Sequence, residues 1–454
     1  MWRLIFSLFL VFCMGCAGNS SLLNLQSKEE GFLSFDYRGS YSTKSFILSF
    51  SRSSLFTDVL SKREKALFSL SALALSDYIE DQLIRSLNLE YSEAEAFRVE
   101  YIASSPYTRS RGVKASGLIL KPPSNEPLPL LIYFYPTLLN KNEAPSLIPP
   151  TALSMDSIED YRLMLIFLAL QGYIVMVPDH VGYGSSEDML HPYLHKQSVA
   201  QTATNFLQSA VNTLREKGAV IQRELFIMGY SQGGHGALAF AEAMQNRSMD
   251  FEIKAVSVGG GPYDLLYTAQ ELLDQKQILK LVVAPLLQSY SYIYGWDLND
   301  IVRKESYADV VSQIYRQDSL QEAVEALPSS TGSLFHPQFL RDMGTGRGDF
   351  YQRALEENSV YDWDPDFPVL LFHVKNDGIV PYKNMEIAYR SLRSGRRSQI
   401  KKMDCNFKKV EDLIGIMDDL NRMRGSRTTI EPDHVNCNFI HFLETGDYFL
   451  NYKN

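Results

Sequence analysis

Short apolar runs, separated by longer segments of helical periodicity, dominate the pattern of this chain. The runs cover residues 97–102, 117–120, 130–135, 173–177, 225–228, 255–258 and 369–372. A short apolar run bounded by turn residues is typical of a strand buried on both faces of a parallel sheet. Because such runs alternate with helical segments, the pattern predicts a doubly wound α/β fold with a mostly parallel sheet and right-handed crossovers.

Two segments depart from this alternation. Residues 64–87 carry apolar side chains mostly at helical spacing, which predicts an amphipathic helix in a layer N-terminal to the sheet. Residues 263–364 contain helix-like pieces and an aromatic cluster before the strand pattern resumes. We expect a mainly helical cap inserted between two strands, because a structureless loop of this length is uncommon in a compact domain. A set of long surface loops is the alternative.

Composition excludes several classes of protein. The chain has 454 residues, 45% hydrophobic and 21% charged, which excludes disorder, collagen and a coiled coil. Its formal net charge of -9 argues against nucleic-acid binding, because neutralising phosphates requires a basic surface. Length alone would suggest three domains, but the strand pattern favours one core that the cap interrupts.

The first sixteen residues have the layout of an export signal. Arg3 precedes the apolar run 4–14, which is too short to span a membrane, and Gly15 and Cys16 follow. Residues 13–16 are similar to a bacterial lipobox, whose last Cys is acylated, although a Cys stands where Leu is usual. We expect export to the cell envelope and lipid anchoring to a bacterial membrane through Cys16. A plainly cleaved signal and a retained anchor are the alternatives.

The expected organisation therefore has five parts. They are a signal peptide (1–15), a tether with a helical layer (16–95), a core in two parts (96–262 and 365–454) and the cap (263–364). After processing, Cys405 and Cys437 remain. In an exported protein a disulfide between them is the natural expectation, and two free buried thiols are the alternative.

The sequence Gly-Tyr-Ser-Gln-Gly at 229–233 carries the strongest chemical signal. The apolar run 225–228 leads directly into it, and an Ala-rich helical segment leads out. This placement is that of a nucleophile elbow, a tight strand-to-helix turn that holds a serine at the end of its strand. Ser231 is the predicted nucleophile, and the adjacent helix N-terminus favours a developing oxyanion.

A serine hydroxyl needs a base, and the base needs an orienting carboxylate. In this type of fold they follow in the order Ser, Asp or Glu, His. Asp377 lies in a turn just after the strand 369–372 and is the predicted acid. Of the eight histidines, only His434 and His441 follow it. His434 is the predicted base because it opens the terminal helix, whereas His441 lies within that helix between apolar residues.

These residues resemble the α/β-hydrolase superfamily, and more narrowly the bacterial esterases and lipases similar to the secretory lipases. The resemblance extends from about residue 97 to the C-terminus. It is carried by residues 177–186, 191–194, 229–235, 261–264 and 373–381. It implies that Ser231, Asp377 and His434 form a catalytic triad, and that the amide of Gln232 is one oxyanion donor.

The second oxyanion donor departs from the pattern of such relatives. They usually carry His-Gly after the strand that ends here at Tyr135, but this chain has Pro136 and Thr137. Because proline has no N–H to donate, the amide of Thr137 or Leu138 is the expected donor.

The predicted function is hydrolysis of carboxylic esters through an acyl-enzyme on Ser231. A small-molecule or lipid ester is the expected substrate, because the predicted cap is apolar and aromatic. A serine peptidase or acyltransferase with the same triad, and a catalytically weak surface lipoprotein, are the alternatives. His191 and His195 lie four residues apart, but Pro192 separates them and no third ligand is near. We therefore predict no metal site, no cofactor and no protein partner.

Overall fold

A single nine-stranded sheet runs through the part of the protein that the computed structural model describes. These residues are 31–52, 77–104, 112–148, 160–247, 250–276, 279–316, 319–345, 349–392, 399–406, 408–409 and 432–453. The strands are β1 Phe32–Ser42, β2 Glu93–Ala103, β3 Val113–Lys121, β4 Leu128–Phe134, β5 Ile174–Pro178, β6 Ile221–Tyr230, β7 Glu252–Gly259, β8 Val369–His373 and β9 Ile400–Asp404. Their order across the sheet is β1-β2-β3-β5-β4-β6-β7-β8-β9.

Strand direction divides the sheet into two parts. The pairs β1·β2, β2·β3 and β3·β5 are antiparallel, whereas all pairs from β5 through β4, β6, β7 and β8 to β9 are parallel. The predicted doubly wound, mostly parallel sheet is therefore confirmed. Parallel strands end at a common edge, so the loops after β4, β6 and β8 gather on one side of the molecule.

Helices cover both faces of the sheet. The described helices outside the segment between β7 and β8 are α1 Thr43–Arg52, α2 Asp77–Ser86, α3 Asp160–Leu170, α4 Lys196–Glu216, α5 Gln232–Gln245, α14 Lys383–Leu392 and α15 His434–Leu450. Adjacent residues of β4 illustrate the two layers: Tyr133 packs against Phe442 of α15, and Phe134 packs against Phe240 of α5. All seven residues of β4 are buried, which explains its uninterrupted apolar sequence.

Each of the seven predicted apolar runs lies in or largely within a strand, but β1 and β9 were not predicted. β1 is half exposed along most of its length, and β9 has the sequence Ile-Lys-Lys-Met-Asp. Both lie at the edges of the sheet, where one face or one side meets solvent. Edge strands tolerate charged and polar residues, so they lack the apolar run that marks a central strand.

The segment between β7 and β8 is helical, as the cap prediction required. Its described helices are α6 Leu265–Asp274, α7 Lys280–Tyr294, α8 Leu298–Ile301, α9 Glu305–Gln313, α10 Leu320–Val324, α11 Thr331–Leu334, α12 Pro337–Thr345 and α13 Asp349–Glu357. Asn358 ties this insertion to the sheet layer. Its side chain accepts a hydrogen bond from the amide of Lys196 (2.8 Å) and donates one to the hydroxyl of Tyr294 (2.6 Å).

Several predictions about the N-terminal part fall on residues outside the described ranges. They include the signal peptide at 1–15, lipid attachment at Cys16, and residues 64–76 of the predicted helix. The rest of that helix is observed as α2. The segment 16–95 differs from the predicted helical layer because it also supplies the edge strand β1. None of the described helices combines the length and apolar character needed to cross a membrane.

Candidate active site

The turn between β6 and α5 holds Ser231 in a strained backbone conformation. Its φ of 54° and ψ of -122° lie outside the regions that non-glycine residues ordinarily adopt. The Ser231 amide donates a hydrogen bond to the carbonyl of Gly259, the last residue of β7, over 2.8 Å. This bond fixes the serine at the common carboxyl edge of the parallel strands.

Close backbone packing explains the glycines of this turn. A Cβ atom on Gly233 would lie 1.9 Å from the carbonyl oxygen of Phe134, and one on Gly229 would lie 2.1 Å from the carbonyl oxygen of Gly233. Both separations are far below van der Waals contact. Only glycine lets the first turn of α5 lie directly against the ends of β4 and β6.

The structure brings Ser231, His434 and Asp377 together in one hydrogen-bonded chain. The Ser231 Oγ lies 2.8 Å from Nε2 of His434, and Nδ1 of His434 lies 2.6 Å from Oδ2 of Asp377. With the imidazole proton on Nδ1, His434 donates to the carboxylate and accepts from the hydroxyl. This is the arrangement in which a neutral histidine can remove the serine proton.

Four hydrogen-bond donors surround the Asp377 carboxylate. Oδ1 accepts from the amides of Ile379 and Val380, each over 2.8 Å, while Oδ2 lies within reach of His434 and of His373 at 3.1 Å. Burial opposes ionisation of Asp377, yet hydrogen bonds from His373 and His434 hold its pKa well below the ordinary value. The carboxylate is therefore anionic at neutral pH and can stabilise a positively charged His434.

Two contacts fix the position of His434 at the start of α15. The hydroxyl of Tyr230, which precedes Ser231, donates to the backbone carbonyl of His434 over 2.7 Å. A disulfide joins Cys405, just after β9, to Cys437 in the first turn of α15. The structure thus pairs the two cysteines as predicted, and the bond ties the helix that carries His434 to the edge of the sheet.

The segment after β5 contacts both regions expected to supply oxyanion donors. The Gln232 side chain donates to Nε2 of His191 over 2.6 Å, and the His191 Nδ1–H donates to the Val181 carbonyl over 2.8 Å. The hydroxyls of Tyr193 and Thr137 lie 2.9 Å apart. Leu138, the other expected donor, is buried beside Thr137. Residues 191–193 therefore hold the loop after β4 and the start of α5 in register.

An apolar cavity opens at Ser231 and Gln232 and extends into the helical insertion, with about 780 Å³ of empty space that includes the solvent at its mouth. Its wall is mostly aliphatic and aromatic, and helices α6, α7 and α12 supply much of it. Representative lining residues are Leu265, Ala269, Leu272, Val283, Leu287 and Phe339. A cavity with this wall favours a hydrocarbon chain over a charged group, because an unpaired charge is costly to bury.

Four buried histidines border a second, smaller cavity behind the nucleophile turn, with about 430 Å³ of empty space. Burial lowers the pKa of His180, His195 and His235 to about 4, and that of His191 well below its ordinary value. These four rings are thus neutral at pH 7. No group of three or more His, Cys, Asp or Glu side chains in the described residues is arranged to hold a metal ion.

Sequence reasoning missed three residues that support the site. His373 ends the strand that precedes Asp377, and its buried ring contacts the Asp377 carboxylate. The others are Tyr230 and His191, which position His434 and Gln232. Strand register could have indicated His373, since it ends β8 four residues before Asp377. No local pattern marks the other two, because their partners are distant in sequence.

The sheet topology and the serine-bearing turn are those of an α/β-hydrolase. The chain belongs to the secretory lipase family, whose sequence profile matches residues 151–404. Membership of this family supports carboxylic-ester hydrolysis, and the family's secretory character supports export.

Solved structures share the fold at low sequence identity. The rice cell wall degrading esterase LipA from Xanthomonas oryzae superposes with a TM-score of 0.69 at 20% identity, covering 93% of this chain and 99% of its own. A candidate hydrolase from Legionella pneumophila gives 0.71 at 21% identity, with 93% and 98% coverage. Candida antarctica lipase A in its closed state gives 0.53 at 16% identity, with 78% and 86% coverage. No curated protein matches the sequence.

Removal of the disulfide is expected to destabilise the protein. The bond spans 32 residues of sequence, and a closed loop of this size contributes about 3–4 kcal/mol in the chain-entropy treatment. The double variant Cys405→Ala, Cys437→Ala should therefore lose stability by about that amount in urea denaturation. As a control, dithiothreitol should destabilise the wild type and leave the double variant unchanged. The disulfide would be contradicted if dithiothreitol, added to the unfolded wild type where it can reach the cysteines, left the measured stability unchanged.

Acid should weaken the fold through the buried histidines. Their pKa values in the folded protein lie below the unfolded value of about 6.5, so the unfolded chain binds protons first as the pH falls. Stability is therefore full above about pH 6.5 and declines toward pH 4, by up to about 1.4 kcal/mol per pH unit for each histidine.

His195→Asn is the matched variant for this effect. His195 caps α4 by accepting a hydrogen bond from the Ser198 amide, a role that asparagine also fills. Urea denaturation at a series of pH values gives the free energy of unfolding against pH. Between pH 6.5 and 4 this slope should be shallower in His195→Asn than in the wild type, by about one proton. An unchanged slope would show that His195 does not titrate on unfolding.

Proposed function

We propose that the protein is a serine hydrolase that cleaves carboxylic esters through an acyl-enzyme on Ser231. The observation that carries the proposal is the hydrogen-bonded chain from Ser231 through His434 to Asp377, placed at the mouth of an apolar cavity. Family membership supports ester hydrolysis, and this geometry supports the serine-dependent route.

In the first half of the reaction the Ser231 Oγ attacks the ester carbonyl carbon while His434 Nε2 takes the hydroxyl proton. The carbon–oxygen bond to the alcohol then breaks, and His434 returns the proton to the departing alcohol oxygen. The anionic Asp377 stabilises the imidazolium that exists between these transfers. In the second half His434 takes a proton from a water molecule, whose oxygen attacks the acyl carbon. The bond from that carbon to Ser231 Oγ then breaks, His434 returns the proton to Oγ, and the carboxylic acid leaves.

The proposed oxyanion site lies between α5 and the loop after β4. The amide of Gln232 begins α5, where the free N–H groups and the helix dipole favour negative charge. The amide of Thr137 or Leu138 would supply the second donor, since Pro136 has no N–H. One such donor is worth about 3–4 kcal/mol of transition-state stabilisation, so the rigidity that Tyr193 gives to Thr137 matters for rate.

Export and lipid attachment belong to the same proposal. Residues 1–15 would direct export, and Cys16 would carry the lipid that holds the enzyme at a bacterial membrane. Family membership supports the first step. The lipobox-like sequence at 13–16 supports the second.

A fluorophosphonate probe tests the nucleophile. The purified wild type should be labelled at Ser231, whereas Ser231→Ala should not be labelled, because the probe needs an activated serine. Ser257→Ala is a suitable control, since Ser257 is buried in hydrogen bonds with His441 and Thr445. Absence of label on the folded wild type would favour a catalytically weak surface protein, and label that survives in Ser231→Ala would refute the assignment.

A series of p-nitrophenyl esters tests the acyl site. We expect kcat/KM to rise from acetyl to octanoyl by up to about fourfold per methylene, because each buried CH₂ contributes about 0.8 kcal/mol. Ala269→Phe should fill part of the cavity and lower octanoyl hydrolysis more than acetyl hydrolysis, which serves as the internal control. A flat profile would contradict the acyl role of the cavity, and faster cleavage of a peptide bond would contradict the ester assignment.

A further inference from the structure

The turn at residues 377–381, the acid turn, also forms part of the wall of the apolar cavity. Ile379 and Val380 are the residues whose amides donate to Oδ1 of Asp377, each over 2.8 Å. Both also line the cavity that opens at Ser231. The same two residues therefore hold the acid through their backbone and border the space proposed for the substrate.

Both backbone groups of Val380 are bonded within the site. Its N–H donates to Asp377, and its carbonyl accepts a hydrogen bond from Nε2 of His373 over 3.0 Å. The His373 ring, at the end of β8, is fully buried. Because Val380 joins the acid to this fixed ring, a shift of its backbone changes the hydrogen bonding of the carboxylate directly.

Asn384 ties the acid turn to the helical insertion. Its amide donates to the Pro381 carbonyl over 2.9 Å. Its side-chain Oδ1 accepts from the Asp264 amide over 3.0 Å and lies 3.1 Å from the Thr268 hydroxyl. Asp264 caps α6, and Thr268 lines the cavity from the same helix. The acid turn and the first helix of the insertion thus border the cavity as connected parts.

The outer side of the acid turn faces solvent. Lys375, Asn376 and Gly378 are exposed, and a Cβ atom on Gly378 would meet no described atom within 4 Å. A molecule in the cavity would therefore add packing to the turn on its inner side, where Ile379 and Val380 border the space.

We propose that Ile379 and Val380 are positioning residues that couple binding of the acyl chain to the catalytic acid. A hydrocarbon chain packed against them holds their amides on Asp377, and so steadies the hydrogen bond that His434 donates to this carboxylate. Binding energy from the far part of the substrate is then expressed in the rate and not only in affinity. This inference rests on the proposed function, because it assumes that the triad acts on an ester whose acyl chain lies in the cavity.

The dependence of kcat on acyl length tests the proposal in the wild type. From the p-nitrophenyl acetyl ester to the octanoyl ester, kcat should rise by about fivefold to tenfold while KM falls, because a misplacement of about 1 Å can cost about a hundredfold in rate. A rise in kcat/KM that comes from KM alone would overturn the proposal and leave the proposed function intact.

Val380→Ala and Leu287→Ala form a matched pair of variants. Both shorten an aliphatic residue of the cavity wall, but Val380 is bonded to the acid through its backbone, whereas Leu287 lies on α7 in the insertion. The ratio of octanoyl to acetyl kcat should fall toward one in Val380→Ala. Leu287→Ala should raise KM for the octanoyl ester and retain the ratio. Equal effects of the two substitutions on the ratio would overturn the proposal.

Hydrogen–deuterium exchange separates this inference from the proposed function, because it needs no turnover. In Ser231→Ala, ethyl octanoate should slow exchange of the Ile379 and Val380 amides by about fourfold or more, the effect of burying one methylene group. Ethyl acetate, which leaves most of the cavity empty, is the matched control and should slow it less.

Unchanged amide exchange with ethyl octanoate, whether or not this ester binds, would overturn the coupling even if the wild type hydrolyses esters. Failure of the wild type to hydrolyse any ester would instead refute the proposed function, and the inference that rests on it would fall with it.

Discussion

The strained backbone at Ser231 is the constraint on which the rest of the site depends. A residue with positive φ outside the left-handed helical region costs on the order of 1–3 kcal/mol, so its surroundings must enforce it. Here the Ser231 amide is bonded to the end of β7, and Gly233 lies against the backbone of β4. Three adjacent parallel strands, β4, β6 and β7, thus fix the position of Ser231. The loops that carry Asp377 and His434 must then be placed relative to this one residue.

The hydrogen-bond donors around the Asp377 carboxylate are a second constraint on the site. Its carboxylate is removed from water but has two backbone amides and two histidine rings as donors. Because these donors are fixed, the carboxylate would not need to recruit solvent if His434 became positively charged, as the proposed mechanism requires. A carboxylate held in this way would limit reorganisation during the proposed reaction, which is the main benefit that a preorganised site offers over water.

Sequence predicted the parts of the structure that local physics determines. The central strands are buried on both faces, so their apolar runs were visible, and the turn at Ser231 combines a strand end, small residues and a helix start. Chain order then indicated Asp377 and His434, which the structure brings into contact. β1 and β9 were not predicted because edge strands need no apolar run. His373, Tyr230 and His191 were not predicted because their significance lies in contacts that only the folded chain shows.

The walls of the apolar cavity come from two parts of the chain that differ in how well they tolerate substitution. Ser231, Ile379 and Val380 belong to turns at the edge of the sheet and Gln232 begins α5, whereas most other lining residues come from the helices between β7 and β8. A substitution in those helices can reshape the proposed acyl site without moving the strands that position Ser231 and Asp377. The two halves of the site can therefore diverge at different rates, so that relatives could keep one chemistry while changing the molecules they accept.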